Sequence, residues 1–598
     1  MRKSIATVSV SGSLTEKLAA IAHAGFDGVE IFENDLLTCP LSPQEVRLRA
    51  ADLGVSIDLY QPFRDFEAVP ADLLARNLRR AERKFEVMER LGVTQLLVCS
   101  NISPDAVDDD ELAAEHLRLL GERAAEHGIR VAYEALAWGR HVNDYLHAWR
   151  IVRMADHPHL GTCLDSFHIL SRGSDPGGIE AIPADRIFFL QLADAPLLAM
   201  DVLQWSRHYR CFPGQGDFDV AGLVAHVLRA GYTGPLSLEV FNDVFRQADA
   251  DRTAVDAMRS LITLEESVAH RLGQAPPIPR PVIPTGFAFA ELATPDTARL
   301  SELLTALGFL RTGTHPGKPV ELWEQGDARI LLNTGGDGPE LAAIGLESPD
   351  PAGSVERAQS LLAPVLPRRR APEEAPLDAV AAPDGTPLFF CRTAQPDHPS
   401  WTDDFGPKGP VTGDITHIDH VALTQPWHHF DEASLFYSSV LGLRRHESLE
   451  LADPYGLLRS RAVTSPDGAI RVALNITHIG PQPSRPDLPY QHVALASQDI
   501  VATARRLRTL GDLLLPIPAN YYDDLEARYQ VEPTIRDLGL LYDRDEYGEF
   551  LHVYTVAVGR VFFEIVQRSG GYQGYGASNA PIRLAVQHAG AARHALHP

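Results

Sequence analysis

Through the first 270 residues, short and almost wholly apolar runs alternate with longer stretches whose apolar positions recur every three or four residues. The runs are Ile5–Val10, Gly28–Phe32, Val55–Tyr60, Thr94–Cys99, Arg130–Glu134, Leu160–Asp165, Arg186–Gln191 and Pro235–Val240. Continuous apolar runs of this length predict parallel strands buried on both faces. The periodic stretches between most of them, Leu14–Ala24, Pro43–Leu53, Ala71–Leu91, Asp109–His127, Asp144–Ala155 and Val220–Ala230, predict helices. Gly25, Gly54, Gly92, Gly128 and Gly231 stand where those helices must stop. Eight strands alternating with helices is the count and length of a (β/α)8 barrel. The rival is a doubly wound open sheet, but no GxGxxG follows the first run.

Four of the runs carry an oxygen-bearing side chain at or near the C-terminal end: Glu134, Asp165, Gln191 and Glu239. In a closed barrel those ends meet at one mouth, where the chemistry sits. Two Glu, one Asp and an amide suit a hard divalent cation, Mg²⁺ or Mn²⁺ before Zn²⁺. The plainer alternative is that each acid caps a following helix or bonds a neighbouring loop. A second constellation lies far along the chain, in Ile418–Leu423, Tyr490–Leu495 and Gly559–Arg568, where His420, His492 and Glu564 each interrupt an apolar run. A polar group in that position is costly unless paired or coordinated. Two His and one carboxylate form the facial triad that binds a divalent metal and leaves positions open.

Composition narrows the rest. At 598 residues the chain exceeds what one core supports. A net charge of −25 argues against nucleic-acid or anionic-membrane partners, so an anionic substrate would need a local cluster of Arg. Five scattered Cys with no CxxC predict free thiols in a reducing compartment. With no signal-peptide core after Met1 and no membrane-length apolar run, the cytoplasm is the expected location. Gln274–Pro284 holds five prolines and predicts an extended linker between residues 1–273 and 285–598. Pro364–Pro376 and Asp397–Gly413 read as loops within the second part.

The run Ala24–Ile31, with Glu134, Asp165-Ser166-Phe167-His168, Gln191-Leu192-Ala193-Asp194 and Glu239, resembles the xylose-isomerase-like barrels. Together with the second half it resembles the bacterial two-domain 3-dehydroshikimate dehydratases, carbon–oxygen lyases that form protocatechuate in aromatic catabolism. That resemblance implies Glu134, Asp165, Gln191 and Glu239 as ligands of Mg or Mn, with Co as a further option. Gln191 departs from the His that many relatives carry. His168 is the candidate base for the proton α to the substrate ketone, with a ligand-orienting role as the alternative. Arg64 and Arg210 are the candidate partners of the substrate carboxylate, and Tyr60 and Ser206 of its hydroxyls. The long segment Ala195–Gly216 is the candidate lid.

The second half resembles 4-hydroxyphenylpyruvate dioxygenase, a vicinal-oxygen-chelate fold of repeated βαβββ modules. The resemblance implies a metal-free pair over residues 285–395, with Phe289 in place of the histidine, and a metal-binding pair over residues 414–598 that takes Fe, Mg or another divalent ion. His552 and Ala580 replace the Gln and Phe that hold the dioxygenase substrate, so that activity is not expected here. The expected protein is a homo-oligomeric lyase acting on a small carboxylate. The alternatives are an Fe(II) dioxygenase acting through the triad, a sugar isomerase or epimerase in the barrel, and a second half that serves assembly alone.

Overall fold

A computed structural model of the chain describes residues 1–393, 400–406, 409, 411–454, 456–476 and 490–596. The expected Asp397–Gly413 loop is therefore described at residues 400–406, 409 and 411–413 alone. The chain divides between Ile278 and Pro279, within the proline-rich segment, into two compact units. Among the described residues no helix is long and apolar enough to cross a membrane.

In the first unit, eight strands close into a parallel barrel in chain order: β1 (Lys3–Ala6), β2 (Gly28–Phe32), β3 (Ser56–Phe63), β4 (Gln95–Cys99), β5 (Arg130–Glu134), β6 (Leu160–Asp165), β7 (Ile187–Leu192) and β8 (Leu236–Leu238). β1 is shorter than its apolar run. After Ala6 the chain winds through a 3-10 turn, where Thr7 accepts the Phe32 N–H and Ser9 accepts the Val240 N–H. The helix Ala71–Leu91 has the bounds its periodicity predicts, and Gly92 ends it at φ +72°, where a side chain would strain. The helix Ala250–Arg271 was not legible, because buried Asp256, Arg259, Ser260 and Glu266 interrupt its apolar face.

Strand register sets the barrel mouth. Asp165 lies beside Gln191, which lies beside Ser237. The segment after β7 is tied to the barrel by Asp194, whose carboxylate accepts the N–H groups of Ala195, Gly214, Gly216 and Phe218 at 2.8–3.0 Å. A Cβ at Gly216 would come within 2.3 Å of that carboxylate, so only glycine fits.

The second unit holds two sheets of eight strands. The first contains β9 (Gly286–Ala293), β10 (Leu310–Thr314), β11 (Val320–Gln325), β12 (Ala328–Asn333), β13 (Glu340–Glu347), β14 (Val365–Leu366), β15 (Asp378–Ala381) and β16 (Pro387–Cys391). Their order is β10-β11-β12-β9-β13-β16-β15-β14. The second contains β17 (Ile415–Thr424), β18 (Arg444–Asp453), β19 (Gly456–Thr464), β20 (Arg471–Ile476), β21 (Gln491–Ser497), β22 (Leu541–Arg544), β23 (Gly548–Tyr554) and β24 (Val561–Gly570), in the same order shifted by eight. Each sheet is a pair of βαβββ modules.

Among the described residues, one of the two sheets carries a metal-capable cluster. In the second sheet His420, Ala494 and Glu564 share one row across β17, β21 and β24, and the small Ala494 lets the outer two side chains meet. In the first sheet that row is Phe289, Gly345 and Phe389. A Cβ on Gly345 would lie 2.4 Å from the Phe289 ring. The ring packs instead 5.8 Å from Phe389 and 5.0 Å from Trp401, filling the space with hydrocarbon.

Candidate metal centres and the barrel pocket

Glu134 and Asp165, at the ends of β5 and β6, and His168, one turn on, are buried and can bring one ligand atom each within 4.8 Å of one another. Glu239, just past β8, joins them through Arg210, whose Nη1 donates to Asp165 Oδ2 at 2.8 Å and to Glu239 Oε2 at 3.0 Å. When ionised, three carboxylates against one guanidinium leave two negative charges, the charge that a divalent cation cancels. Glu134 Oε1 is buried with no hydrogen bond. Burial, followed by the charges of Asp165 and Glu239, pushes the Glu134 carboxyl well above its usual range. Burial alone would raise Asp165 too, but Arg210 overrides it and holds that group down. The donor set therefore fits a hard divalent ion.

Gln191 is oriented by its neighbours. Its Nε2 donates to Glu30 Oε2 at 2.6 Å, while its Oε1 receives the Cys163 thiol at 3.5 Å. Glu30 also accepts from Gln61 at 3.0 Å and from the Ser237 hydroxyl. Burial and then the Glu239 charge push Glu30 far above the usual carboxylate range. Glu30 and Gln61 were missed as site residues, since a Glu and a Gln within apolar runs carry no spacing signal of their own. Gln61 Nε2 also donates to Glu239 Oε1 at 2.8 Å.

Of the four expected substrate contacts, Arg64, Ser206 and Arg210 line the pocket and Tyr60 does not. Tyr60 does not line the pocket, because strand alternation turns Gln61 inward and sends the Tyr60 ring outward beneath Lys84, at 5.6 Å. Ser206 lines the pocket, but its hydroxyl accepts from Arg210 Nε and Nη2 at 3.1 and 2.9 Å. Arg210 itself is fully buried and spent on Asp165, Glu239 and Ser206. Arg64 lines the pocket as expected, and Arg207, overlooked in the lid sequence, lines it too. Neither shows a carboxylate partner among the described residues. Burial, then the charges of Arg64 and Arg210, lowers the Arg207 pKa.

His168 is buried 4 % exposed, and its Nδ1 accepts the Ala137 N–H at 3.0 Å. Its Nε2 meets Arg210 Nη2, which can only donate, at 3.3 Å, so both ring nitrogens face N–H groups. That Nε2 also lies 3.9 Å from Glu134 Oε1 and 3.8 Å from Asp165 Oδ2. Burial, helped by Arg210 and Arg64, pushes the ring down to about 3 against the pull of Asp165, so it stays neutral at ordinary pH. A neutral ring has one lone pair for these two donors, and its tautomer decides whether Nε2 accepts a proton or donates one.

In the second unit, Glu564 Oε2 lies 3.1 Å from Nε2 of both His420 and His492, and those two nitrogens are 3.4 Å apart. Three donor atoms aimed at one another fit a shared cation. Partners behind them fix their orientation. Asp419 accepts His420 Nδ1 at 2.8 Å and is itself held by Arg568 at 2.8 and 2.9 Å. His552 donates from Nδ1 to Glu564 Oε1 at 2.7 Å and contacts the Asn579 amide at 2.9 Å. His552 therefore serves the ligand Glu564. Ala580 packs beside Leu458 and Leu584. Neither Asp419 nor Asn579 was singled out in the sequence.

Comparison with known proteins follows the same division. A family model described as xylose isomerase-like TIM barrel matches residues 18–264. The N-terminal model of hydroxyphenylpyruvate dioxygenase matches residues 279–347, and that of the glyoxalase/bleomycin resistance protein/dioxygenase superfamily matches residues 417–547. The chain is 46% identical to the 3-dehydroshikimate dehydratase of Pseudomonas putida, over 99% of both chains, and 46% identical to that of Pseudomonas aeruginosa, over 98% of both. The 4-hydroxyphenylpyruvate dioxygenase of Pseudomonas aeruginosa is 28% identical over 50% of this chain and 92% of its own length. A solved xylose isomerase-like TIM barrel/4-hydroxyphenylpyruvate dioxygenase fusion protein superposes with a TM-score of 0.90 at 44% identity, covering 99% of each chain.

Proposed function

The chain belongs to the 3-dehydroshikimate dehydratase family, carbon–oxygen lyases that join a barrel to a dioxygenase-like half, and from that premise we propose that its barrel pocket converts 3-dehydroshikimate into protocatechuate. The observation that carries this reading is the meeting of Glu134, Asp165 and Glu239 with the cations Arg64 and Arg207 in one buried pocket. A neutral sugar would give those two cations nothing to bind. Glu134, Asp165, Gln191 and Glu239 would hold Mg²⁺ or Mn²⁺. When bound, that ion supplies a Lewis acid for the charge that grows on the substrate's C3 oxygen.

Arg64 and Arg207 take the substrate carboxylate and so orient the ring. The proton at C4 lies α to the C3 ketone, and the hydroxyl at C5 lies β to it. Glu134 Oε1, a buried carboxylate oxygen without a hydrogen bond, would be a donor left for the ion. His168 is the base that takes the C4 proton, in the tautomer whose Nε2 lone pair faces Arg210 Nη2 at 3.3 Å. Loss of water and tautomerisation then give an aromatic ring. Asp194 keeps the segment after β7 closed over the pocket. The five free cysteines, four of them buried, favour a cytoplasmic setting.

The test mixes purified full-length protein with 3-dehydroshikimate and follows protocatechuate by ultraviolet absorbance. Chelation should abolish formation, and Mg²⁺ or Mn²⁺ should restore it. Full-rate turnover by metal-free protein would defeat the reading.

A further inference from the structure

Among the described residues, the buried arginines other than Arg583 meet a carboxylate or a backbone carbonyl. Arg210 meets Asp165 and Glu239, and Arg568 meets Asp419 twice. Arg357 meets the carbonyls of Ser439 and Pro279. The exception is Arg583, 7 % exposed on the helix Ala580–Leu596, whose hydrogen-bonded partners are side chains without charge. Its Nη1 donates to Gln587 Oε1 at 2.7 Å, and its guanidinium lies over the rings of Tyr554 and Phe562 at 5.6 and 5.4 Å. Among the described residues no carboxylate pairs with it. Burying a guanidinium without a counter-charge is costly. Gln587 repeats the pattern, for it is 5 % exposed and its Nε2 is a buried donor with no acceptor.

These donors stand beside the second unit's centre. The Tyr554 hydroxyl lies against Glu564 on one side and Arg583 on the other. Phe562 packs on His492 with ring centres 4.8 Å apart, and Tyr575 meets His420 edge-on at 5.9 Å, its buried hydroxyl unpartnered. The surroundings of the triad are therefore aromatic walls with a cation set into one side. We propose that this centre binds a hydroxylated benzoate, with ring oxygens facing His420, His492 and Glu564 and the carboxylate held by Arg583 and Gln587. The pairing does not depend on the dehydration reading, although protocatechuate belongs to the same class.

The test uses the full chain loaded with Co²⁺ and titrated with 3,4-dihydroxybenzoate and with catechol, reading the visible bands of cobalt. His420→Ala, which leaves the barrel site intact, supplies the background. The response lost in His420→Ala should show tighter binding of the carboxylate probe. Arg583→Gln should weaken 3,4-dihydroxybenzoate by about tenfold or more and catechol by less than about twofold, with Arg583→Lys between. Should Arg583→Gln fail to fold, Gln587→Leu should show the same selective loss to a smaller degree. Equal weakening of both probes would make Arg583 a structural residue. An unchanged 3,4-dihydroxybenzoate affinity, or a response that survives in His420→Ala, would overturn the proposal.

Discussion

His168 offers the sharpest test of the barrel chemistry, because three replacements separate its two nitrogens. Nδ1 accepts the Ala137 N–H at 3.0 Å, and Nε2 meets Arg210 Nη2 at 3.3 Å with Glu134 and Asp165 at 3.9 and 3.8 Å. His168→Gln places an amide N–H near the Nε2 position. His168→Asn instead keeps an acceptor for Ala137 but offers nothing at Nε2, and His168→Ala removes both. A positioned base contributes roughly 10²–10⁴ in rate. Gln, Asn and Ala should therefore all lose about that factor, since none has a nitrogen lone pair to accept the proton. Initial rates of protocatechuate formation at saturating substrate give the comparison, and metal analysis of each variant confirms that the ion is retained. If His168 were instead a donor to developing charge, Gln would stay within roughly tenfold of the native enzyme while Asn and Ala fell. A near-native rate for Gln would refute the base assignment.

Arg64→Gln and Arg207→Gln should each raise KM by roughly 10–10²-fold with a smaller change in kcat, as expected when a charge-assisted bond to the substrate carboxylate is lost; an unchanged KM in both would remove the cation pair from the account. Asp194→Ala strips the acceptor from four backbone N–H groups, so limited proteolysis within 195–218 should accelerate and stability should fall by about 2–4 kcal/mol; an intact cleavage pattern would show that the segment is held by other means. Burial pushes Glu67 up to about 7, above its ordinary value of 4.5, so it folds protonated, with its unpartnered Oε2 free to carry the proton, and its stability cost grows as pH rises from 4.5 to 7. Glu67→Gln should thus gain stability over the native protein by on the order of 1–3 kcal/mol between pH 5 and pH 8 in denaturant melts, and parallel curves would contradict this.

What the sequence made legible follows from where each signal lies. β2, β5 and β6 have the bounds of their apolar runs, because a buried parallel strand is hydrophobic throughout. Strand ends likewise exposed Glu134, Asp165 and Glu239, since an acid closing an apolar run is conspicuous. Tyr60 was misplaced because a run apolar on both faces hides which of Tyr60 and Gln61 points inward. Arg207 and Arg210 are equally polar letters in one loop, and only the fold reveals that Arg210 is spent on Asp165 while Arg207 is not. In the second unit, the repeated HVAL context marked His420 and His492. Their orienting partner Asp419 was invisible, since a hydrogen bond from a neighbouring side chain leaves no periodic trace.

The central claim is that dehydration belongs to the barrel and proceeds without the second unit's centre. The most direct measurement compares Glu134→Ala and His420→Ala in the full chain, loaded with metal and given 3-dehydroshikimate with and without O₂. Glu134→Ala should form no protocatechuate, because a proposed metal ligand is lost. His420→Ala should form it at close to the native rate, equally in air and under anaerobic conditions, while binding less metal. Loss of protocatechuate in His420→Ala with Glu134→Ala still active, or a requirement for O₂, would contradict the account.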